Sequence, residues 1–348
     1  MAIFPSVGDY FALDIGTTAI RVVQLRGSNG SWTLDKFASV PVDIQVSSSD
    51  APEDQRRLGE VITTAVGQSG IKSKDVVVGI PSNKMFATVI DVPDMPANEL
   101  ASTIKYQAEQ YIPMSLDEAK VDWALLGKSI NDQTKVEVLL ASVANSFSES
   151  RLDLIESLGL NVVAIEPDSI ALSRSLLPPG VADARLIIEI SDFATDIVMT
   201  YADAPRLIRS LPSGLQTMVK ATAQNLNVES QQAAQFITKF GMLPDKLEGQ
   251  VVRSLANTVD QFVAEIVKSI KFFQTRYPRV PVGGMIVSEY GVIVPGLAAY
   301  ISEKVGLPVE LGNPWQKVTL SPAMQTSLQD QSAQFAVALG LAQRGGDL

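Results

Sequence analysis

Three short runs rich in apolar residues open the chain and predict three consecutive strands. The runs cover residues 11–14, 21–25 and 32–40. Short turns that carry Gly16, Gly27 and Gly30 separate them, and glycine favours tight turns. This pattern predicts a β-meander. The next segment, 55–69, has its apolar residues at helical spacing and ends before Gly70, so it predicts a helix.

The region from residue 76 to residue 177 alternates strand-like and helix-like segments. Leu100, Ile104, Ala108 and Tyr111 fall on one face of a predicted helix, which Pro113 ends. The other predicted elements are strands at 76–80, 86–92, 121–126, 136–143 and 161–165 and helices at 150–158 and 169–177.

The opening pattern returns about half a chain later. Its strand-like runs cover 186–190, 196–201 and 206–211. The best alignment places residues 13–23 above residues 188–198. Acidic Asp14 then meets acidic Glu189, and small Gly16 meets Ser191. Internal repetition of this kind predicts two related lobes, with chance alignment of two amphipathic strands as the alternative.

Helices predominate after the second meander. The longest of them carries a single apolar stripe from Val251 to Ile270, typical of a helix with one buried face. The predicted elements are helices at 215–225, 230–240, 247–277, 296–305 and 332–343 and a strand at 282–288.

The first turn of the chain, Asp14-Ile15-Gly16-Thr17-Thr18, has the composition of a phosphate-binding hairpin. Glycine lets backbone N–H groups approach an anion, and the Thr hydroxyls add donors. Asp14, at the strand end, can orient the hydrated Mg²⁺ that accompanies a nucleotide. The strand–turn–strand order differs from a Walker loop, which needs a lysine and a following helix. An ordinary β-turn is the alternative, but a second copy in the other lobe favours a phosphate clamp.

The composition limits the classes of function. The chain has 348 residues, 46% hydrophobic and 19% charged, which indicates a globular protein of about two or three domains. Its net charge of −10, with Lys and Arg scattered singly, argues against nucleic acid or anionic lipid as a direct partner. The sequence contains neither Cys nor His, which excludes thiol nucleophiles, Ser-His-Asp triads, His general bases and zinc sites built on those residues.

The sequence also predicts where the protein works. Residues 1–5 lack the start of a secretory signal, and no apolar stretch reaches the roughly 18 residues of a membrane span. The absence of disulfides fits a reducing compartment. We therefore expect a soluble, cytoplasmic protein.

The first hairpin and several later segments together resemble the PilM family, actin-like type IV pilus assembly proteins related to the cell-division protein FtsA. The resembling segments, in the family's order, are 13–18, 106–113, 165–174, 208–214, 294–297, 312–315 and 336–342. The resemblance implies an α/β chain with the duplicated, two-lobed actin-like (ribonuclease H-like) fold and an FtsA-type inserted subdomain 1C. The implied subdomains are 1A at 1–75, 164–184 and 330–348, 1C at 76–163, 2A at 185–212 and 281–329, and 2B at 213–280.

The resemblance also implies a partner. In this family the cytoplasmic tail of the inner-membrane protein PilN lies in a groove at 1A and 1C, so the protein would reach the membrane only indirectly. The pilus platform protein and the assembly motors are further expected partners.

The chain departs from the family at three of its nucleotide contacts. The second hairpin has Glu189 and Ser191 where the family has Asp-x-Gly, and serine restricts the positive-φ conformations open to glycine. In 2B the family's Ala-Glu-x-x-Lys corresponds to Ala233, Ala234 and Ile237 here, so both charged contacts are missing. The family's glycine run after Leu-Ser corresponds to Ser288-Glu289-Tyr290-Gly291.

These departures predict a nucleotide site that is weak or lost. Glu289 near a phosphate would cost roughly 4 kcal/mol at 4 Å and an effective dielectric near 20. The alternative is that Glu289 and Tyr290 point away and ATP with Mg²⁺, the cofactor this fold would take, still binds. The candidate nucleotide residues are Asp14, Gly16, Thr17, Thr18, Glu189, Ser191, Thr195, Asp196, Gly214, Ser288 and Gly291, with Asp14 also the candidate metal residue.

The sequence therefore predicts a non-enzymatic scaffold of the pilus inner-membrane complex. A kinase or ATPase on the same fold is one alternative, which needs an intact adenosine site. An FtsA-like polymer subunit at the membrane is another, but residues 342–348 lack a basic amphipathic anchor. The actin-like region of a type II secretion protein is a third, and that protein carries a membrane span in the same chain.

Overall fold

The apolar runs form strands and the stripes at helical spacing form helices in the computed structural model, which describes residues 10–28, 31–328 and 331–344. Three expectations lie wholly or partly outside the described residues: the start at 1–5, the turn at Gly30 and the C-terminal stretch beyond 344. Along the part of the chain that is described, no helix combines the length and apolarity needed to cross a membrane.

The strands follow the predicted order, with two short ones that the pattern did not indicate, β13 and β14. They are β1 (Phe11–Ile15), β2 (Ala19–Ser28), β3 (Ser31–Pro41), β4 (Asp75–Ile80), β5 (Met85–Pro93), β6 (Ala119–Lys128), β7 (Lys135–Ala144), β8 (Asn161–Pro167), β9 (Ala184–Ile190), β10 (Thr195–Tyr201), β11 (Ala204–Leu211), β12 (Val282–Glu289), β13 (Val309–Leu311) and β14 (Val318–Thr319).

The helices include all the longer predicted ones and three short additions, α1, α9 and α11. They are α1 (Ile44–Ser48), α2 (Pro52–Ser69), α3 (Ala97–Tyr111), α4 (Asn145–Ser157), α5 (Asp168–Leu176), α6 (Leu215–Leu226), α7 (Ser230–Phe240), α8 (Gln250–Arg276), α9 (Tyr290–Ile293), α10 (Leu297–Val305), α11 (Pro322–Leu328) and α12 (Ala336–Ala342).

Local chemistry sets the helix ends. Pro52 occupies the first turn of α2, where its missing N–H costs no helical hydrogen bond. Gly70 ends that helix in the left-handed conformation, with φ of 70°. The long helix α8 begins at Gln250, three residues later than predicted, because Gly249 is left-handed and residues Leu247–Gly249 form a separate 3₁₀ turn.

Two compact units make up the chain: a first unit of residues 1–175 with 314–348, and a second unit of residues 176–313. The first unit contains a six-stranded sheet in the order β14-β3-β2-β1-β4-β8. Strands β3, β2 and β1 form the predicted antiparallel meander, and β4 and β8 extend it in parallel. Apolar side chains of α2, such as Leu58 and Ile62, are fully buried against this sheet.

The second unit repeats the same topology. Its five strands lie in the order β11-β10-β9-β12-β13, again an antiparallel meander followed by two parallel strands. The predicted duplication is therefore confirmed. The apolar stripe of α8 is buried as expected. Of the two adjacent phenylalanines near the end of this helix, Phe273 is buried and Phe272 is 62% exposed.

A three-stranded sheet, in the order β5-β7-β6, is inserted in the first unit. Helix α3 covers one face of it and buries Leu100, Ile104 and Ala108 against the sheet. The expectation that Tyr111 shares that face is wrong, because this side chain is 45% exposed and the next residue, Ile112, is buried instead.

Strand pairing places two segments differently from the predicted subdomain boundaries. The predicted insertion at 76–163 includes β4 and the start of β8, but β4 pairs in parallel with β1 and with β8 inside the six-stranded sheet. The predicted subdomain 2A includes residues 314–329, but β14 pairs with β3 in the first unit. The pattern did not reveal this because pairing between distant segments leaves no local signal.

Candidate functional site

The two predicted hairpins have the same backbone turn. In the first hairpin, residues 14–19, the Gly16 N–H donates to the Ala19 carbonyl at 3.1 Å. In the second hairpin, residues 189–195, the Ser191 N–H donates to the Ala194 carbonyl at 2.9 Å. Neither Gly16 nor Ser191 has a positive φ. The turn therefore does not need a left-handed residue, and the expected restriction on serine does not operate here.

The carboxylate of the first hairpin is buried and paired with a cation. Asp14 lies opposite Arg21 across β1 and β2, and its Oδ2 is 3.5 Å from the Arg21 Nη1 atom. Burial raises the pKa of the Asp14 carboxyl, and the neighbouring guanidinium opposes that shift. The residue predicted to orient a hydrated metal thus faces an arginine of its own sheet.

The rest of the first hairpin is anchored by neighbouring segments. The Thr17 carbonyl accepts a hydrogen bond from the Ser47 hydroxyl at 2.7 Å, and the Thr18 carbonyl accepts one from the Val42 N–H at 3.0 Å. Gly16 is needed for space, because a Cβ there would lie 2.8 Å from the Ala19 carbonyl oxygen.

The second hairpin has a different cross-strand pair at the same place. Glu189 of β9 lies opposite Asp196 of β10, so two acidic residues occupy the positions that correspond to Asp14 and Arg21. Like charges opposite each other destabilise a sheet. Over the ranges that the structure describes, no group of three or more Asp and Glu side chains could hold a metal ion.

Helix α6 begins directly on the second hairpin. The N–H groups of Leu215 and Gln216 donate to the carbonyls of Ser191 and Asp192, both at 2.9 Å. Gly214 precedes the helix, where a Cβ would lie only 2.3 Å from the Ser191 carbonyl oxygen. The helix start, which could otherwise bind an anion, thus directs these two donors at the hairpin.

The end of β12 lies against the second hairpin in parallel register, with Ser288 opposite Glu189 and Glu289 opposite Ile190. Glu289 is 8% exposed and has φ of 52° and ψ of −117°, a conformation that only glycine adopts readily. The hydroxyl of the next residue, Tyr290, donates to the Asp192 carboxylate at 3.1 Å.

The candidate nucleotide residues therefore fall into two sets, one on each unit. Asp14, Gly16, Thr17 and Thr18 belong to the first hairpin. In the second unit, Thr195 joins its hairpin to the start of α6, because its hydroxyl donates to the Ser213 carbonyl at 2.7 Å. The remaining members of that set are Glu189, Ser191, Asp196, Gly214, Ser288 and Gly291.

A groove in the first unit separates the inserted sheet from the larger one. It has a volume of about 260 Å³. One wall is the sheet face opposite α3, with Met85, Leu139, Ala141 and Val143. The other wall is formed by Ile80, Ile165, Pro167 and Ile170, at the carboxyl ends of β4 and β8 and on α5.

The resemblance to the family implied a groove at 1A and 1C, and β7 carries a signal for it in the sequence itself. Val136, Val138 and Leu140 face α3, whereas Leu139 and Ala141 face the groove. A strand that is apolar on both faces indicates that something covers each of them. One cover is α3, and the other is the wall of the larger sheet.

The fold and the duplicated hairpins define the class of protein. Two units with the same strand order, one carrying an inserted small sheet, form the two-lobed fold of actin-like proteins. The sequence model of the family described as "Type IV pilus assembly protein PilM" matches residues 12–346. The chain therefore belongs to this family, and the resemblance noted in the sequence is confirmed.

Solved structures agree with this fold. A chain of a PilM–PilN type IV pilus biogenesis complex is 24% identical, with a TM-score of 0.81 over 99% of this chain and 100% of that one. The ethanolamine utilization protein EutJ from Carboxydothermus hydrogenoformans is 13% identical, with a TM-score of 0.57 over 99% and 92%. MreB5 of Spiroplasma citri bound to AMPPNP is 10% identical, with a TM-score of 0.56 over 97% and 95%.

Proposed function

We propose that the chain is a non-enzymatic scaffold of the type IV pilus assembly complex, and that its groove binds the cytoplasmic tail of a PilN-type membrane protein. The apolar groove of the first unit is the observation that carries this proposal. A related structure of the same family is a complex with PilN. Through that partner the protein would be held at the inner face of the cytoplasmic membrane, within reach of the platform and motor proteins.

The walls of the groove fit a short apolar segment of a tail. Both walls are built from aliphatic side chains, and Ala141 and Ala124 leave space between larger neighbours. Recognition sites for short segments typically combine such apolar walls with a few polar groups at the rim. Lys120 and Asp122 supply charged groups on the β6 side.

Calorimetric titration with a synthetic peptide of the PilN-type tail from the same organism tests the binding. Ala124→Arg places a long charged side chain in the groove from an exposed position, so it should weaken binding at least tenfold. Leu125→Arg is the matched control, because Leu125 is the next residue, is 53% exposed and does not line the groove. Equal effects of the two variants, or no binding by the wild type, would refute the groove as the site.

We also propose that nucleotide binding by this chain is weak or lost. Three contacts support it: the Arg21 guanidinium beside Asp14, the α6 amides bonded to the second hairpin, and the Tyr290 hydroxyl on Asp192. The first two contacts use, within the chain, groups that a nucleotide or its metal would need: the Asp14 carboxylate and the amides of a helix start. The third holds Tyr290, which stands where the family has glycine, against the second hairpin.

Titration with Mg-ATP decides between this scaffold and an ATP-binding relative. The rival has support in the backbone turn that both hairpins keep, and in the AMPPNP bound to the MreB5 structure. We expect no measurable heat at millimolar nucleotide. Micromolar binding would instead favour an actin-like ATPase, without affecting the peptide result.

A further inference from the structure

Strand β6 lies at an edge of the inserted sheet, where among the described strands it pairs with β7 alone. Edge strands expose backbone N–H and C=O groups that can pair with another chain. A ten-residue edge such as β6, Ala119–Lys128, is long enough to receive a further strand.

Hydrogen bonding identifies the residues of β6 that point to the free edge. The Trp123 N–H donates to the carboxylate of its neighbour Asp122 at 2.8 Å. Because backbone groups alternate in direction along an antiparallel strand, those of Val121 and Leu125 point the same way as those of Trp123. The Ser129 N–H points the other way, toward β7, because it donates to the Lys135 carbonyl at 2.9 Å. Ser129 and Trp123 are an even number of residues apart, but the bulge between Leu125 and Gly127 adds one residue and so reverses the alternation between them.

The groove reaches this edge. Lys120, Asp122 and Ala124 line it from the face opposite α3. Val121 and Trp123 also line it, although their side chains pack on the α3 side. Since consecutive residues of both faces line the groove along one run, the groove borders the backbone of the strand as well as one of its faces.

We propose that the partner tail binds as an added strand along β6, and that Asp122 controls access to that edge. This inference rests on the proposed function and specifies how the same groove is used. A tail paired with Val121 and Trp123 would direct every second side chain into the groove, so the partner is an extended segment with apolar residues at alternate positions.

Asp122 occupies the hydrogen-bonding edge of β6 until a partner displaces its side chain. Its carboxylate satisfies the Trp123 N–H in the absence of a partner, which protects an exposed edge from unwanted pairing. An incoming strand needs that same N–H and must displace the carboxylate. Asp122 is exposed, so its side chain can move into solvent at little cost.

A scan of N-methylated tail peptides tests the strand pairing. Each peptide carries one methyl group on one backbone nitrogen, and the affinity of the full-length chain is measured by calorimetry. If the tail is an added strand, N-methyl groups at alternate positions should lower the affinity about tenfold or more, and those between them less than about threefold. Binding that is insensitive to methylation, or uniformly sensitive, overturns the added strand while leaving the groove intact. Failure of the unmodified peptide to bind overturns the proposed function as well.

Two variants test Asp122 separately. Asp122→Ala should raise the affinity about three- to tenfold, because the tail no longer competes with the carboxylate. Asp132→Ala is the matched control: its carboxylate also accepts a backbone N–H, that of Thr134 at 3.0 Å, but it lies in the β6–β7 turn and does not line the groove. Lower affinity in Asp122→Ala would overturn the proposed control of access, because it would mean that the carboxylate holds the tail.

Discussion

The two hairpins have one backbone and two kinds of side-chain chemistry. Gly16 and Ser191 make the same N–H to carbonyl bond, at 3.1 and 2.9 Å. The first hairpin pairs Asp14 with Arg21 across the strands, whereas the second sets Glu189 beside Asp196. The comparison indicates that the fold depends on the hydrogen bond of the turn. It tolerates either an acid–base pair or two acids at the cross-strand positions beside that turn.

Removing the cation of the first hairpin should have the largest effect. Arg21→Met leaves the buried Asp14 carboxylate without a counter-charge and should lower the free energy of unfolding by about 3 kcal/mol at neutral pH. Urea denaturation followed by tryptophan emission reports the unfolding of the first unit, which contains Asp14 and Arg21, because Trp32, Trp123 and Trp315 all belong to that unit.

The pH dependence gives this prediction a sign. Burial raises the pKa of Asp14, and without Arg21 it rises further, so the folded chain binds a proton that the unfolded chain has lost. The variant should therefore lose stability relative to the wild type as pH rises from about 4, the ordinary pKa of an unfolded-state Asp, through the raised folded-state pKa. Below about pH 4 its stability should approach that of the wild type. The double variant Asp14→Asn/Arg21→Met should remove the dependence. A loss that is the same at every pH would assign the effect to packing.

Replacing Gly16 of the first hairpin by serine, the residue at the corresponding position of the second hairpin, should have the next largest effect. Gly16→Ser puts a Cβ 2.8 Å from the Ala19 carbonyl oxygen and 3.1 Å from the Arg21 Nη1 atom, and should cost about 2 kcal/mol by overpacking. The same urea measurement reports it. The reciprocal change, Ser191→Gly, removes the hydroxyl that donates to the Ala194 carbonyl at 3.0 Å and accepts from the Ala194 N–H at 3.4 Å, and should cost about 1 kcal/mol or less. Far-UV circular dichroism measures this cost, because the tryptophans lie in the other unit. Equal costs would mean that the two turns have the same space around them.

The sequence predicted the hairpins better than their surroundings. Local pattern indicated both meanders, and the alignment of Asp14 with Glu189 correctly indicated the repeated topology. The pairing of Asp14 with Arg21 was not predicted, because a local pattern does not distinguish a carboxylate that binds a metal from one that pairs with an arginine across a hairpin. The groove and the placement of β14 depend on contacts between distant segments, which periodicity does not record.

Removing the backbone strain at Glu289, beside the second hairpin, should stabilise the chain by a smaller amount. Glu289→Gly replaces a side chain held at φ of 52° and ψ of −117° and should raise the free energy of unfolding by about 1 kcal/mol. Far-UV circular dichroism is the measurement, since the tryptophans lie in the other unit. Asn227→Gly is the control: Asn227 has φ of 52° and ψ of 51°, where asparagine is tolerated, so it should change little. A loss in Glu289→Gly would mean that the carboxylate's contacts outweigh the strain.

The smallest effect should come from the acidic pair of the second hairpin. Glu189→Gln removes one of two like charges that face each other across β9 and β10, and should raise the free energy of unfolding by about 0.5 kcal/mol. Glu189 and Asp196 are both partly exposed, so salt should screen their repulsion. The gain should therefore be greatest at low ionic strength and shrink toward zero at about 1 M salt, where the screening length is about 3 Å. A gain that persists at high salt would instead come from packing or hydrogen bonding of the amide. A loss of stability would mean that the Glu189 carboxylate, like that of Asp14, makes a stabilising contact. The two hairpins would then differ in the partner of the carboxylate, and not in whether the carboxylate stabilises the fold.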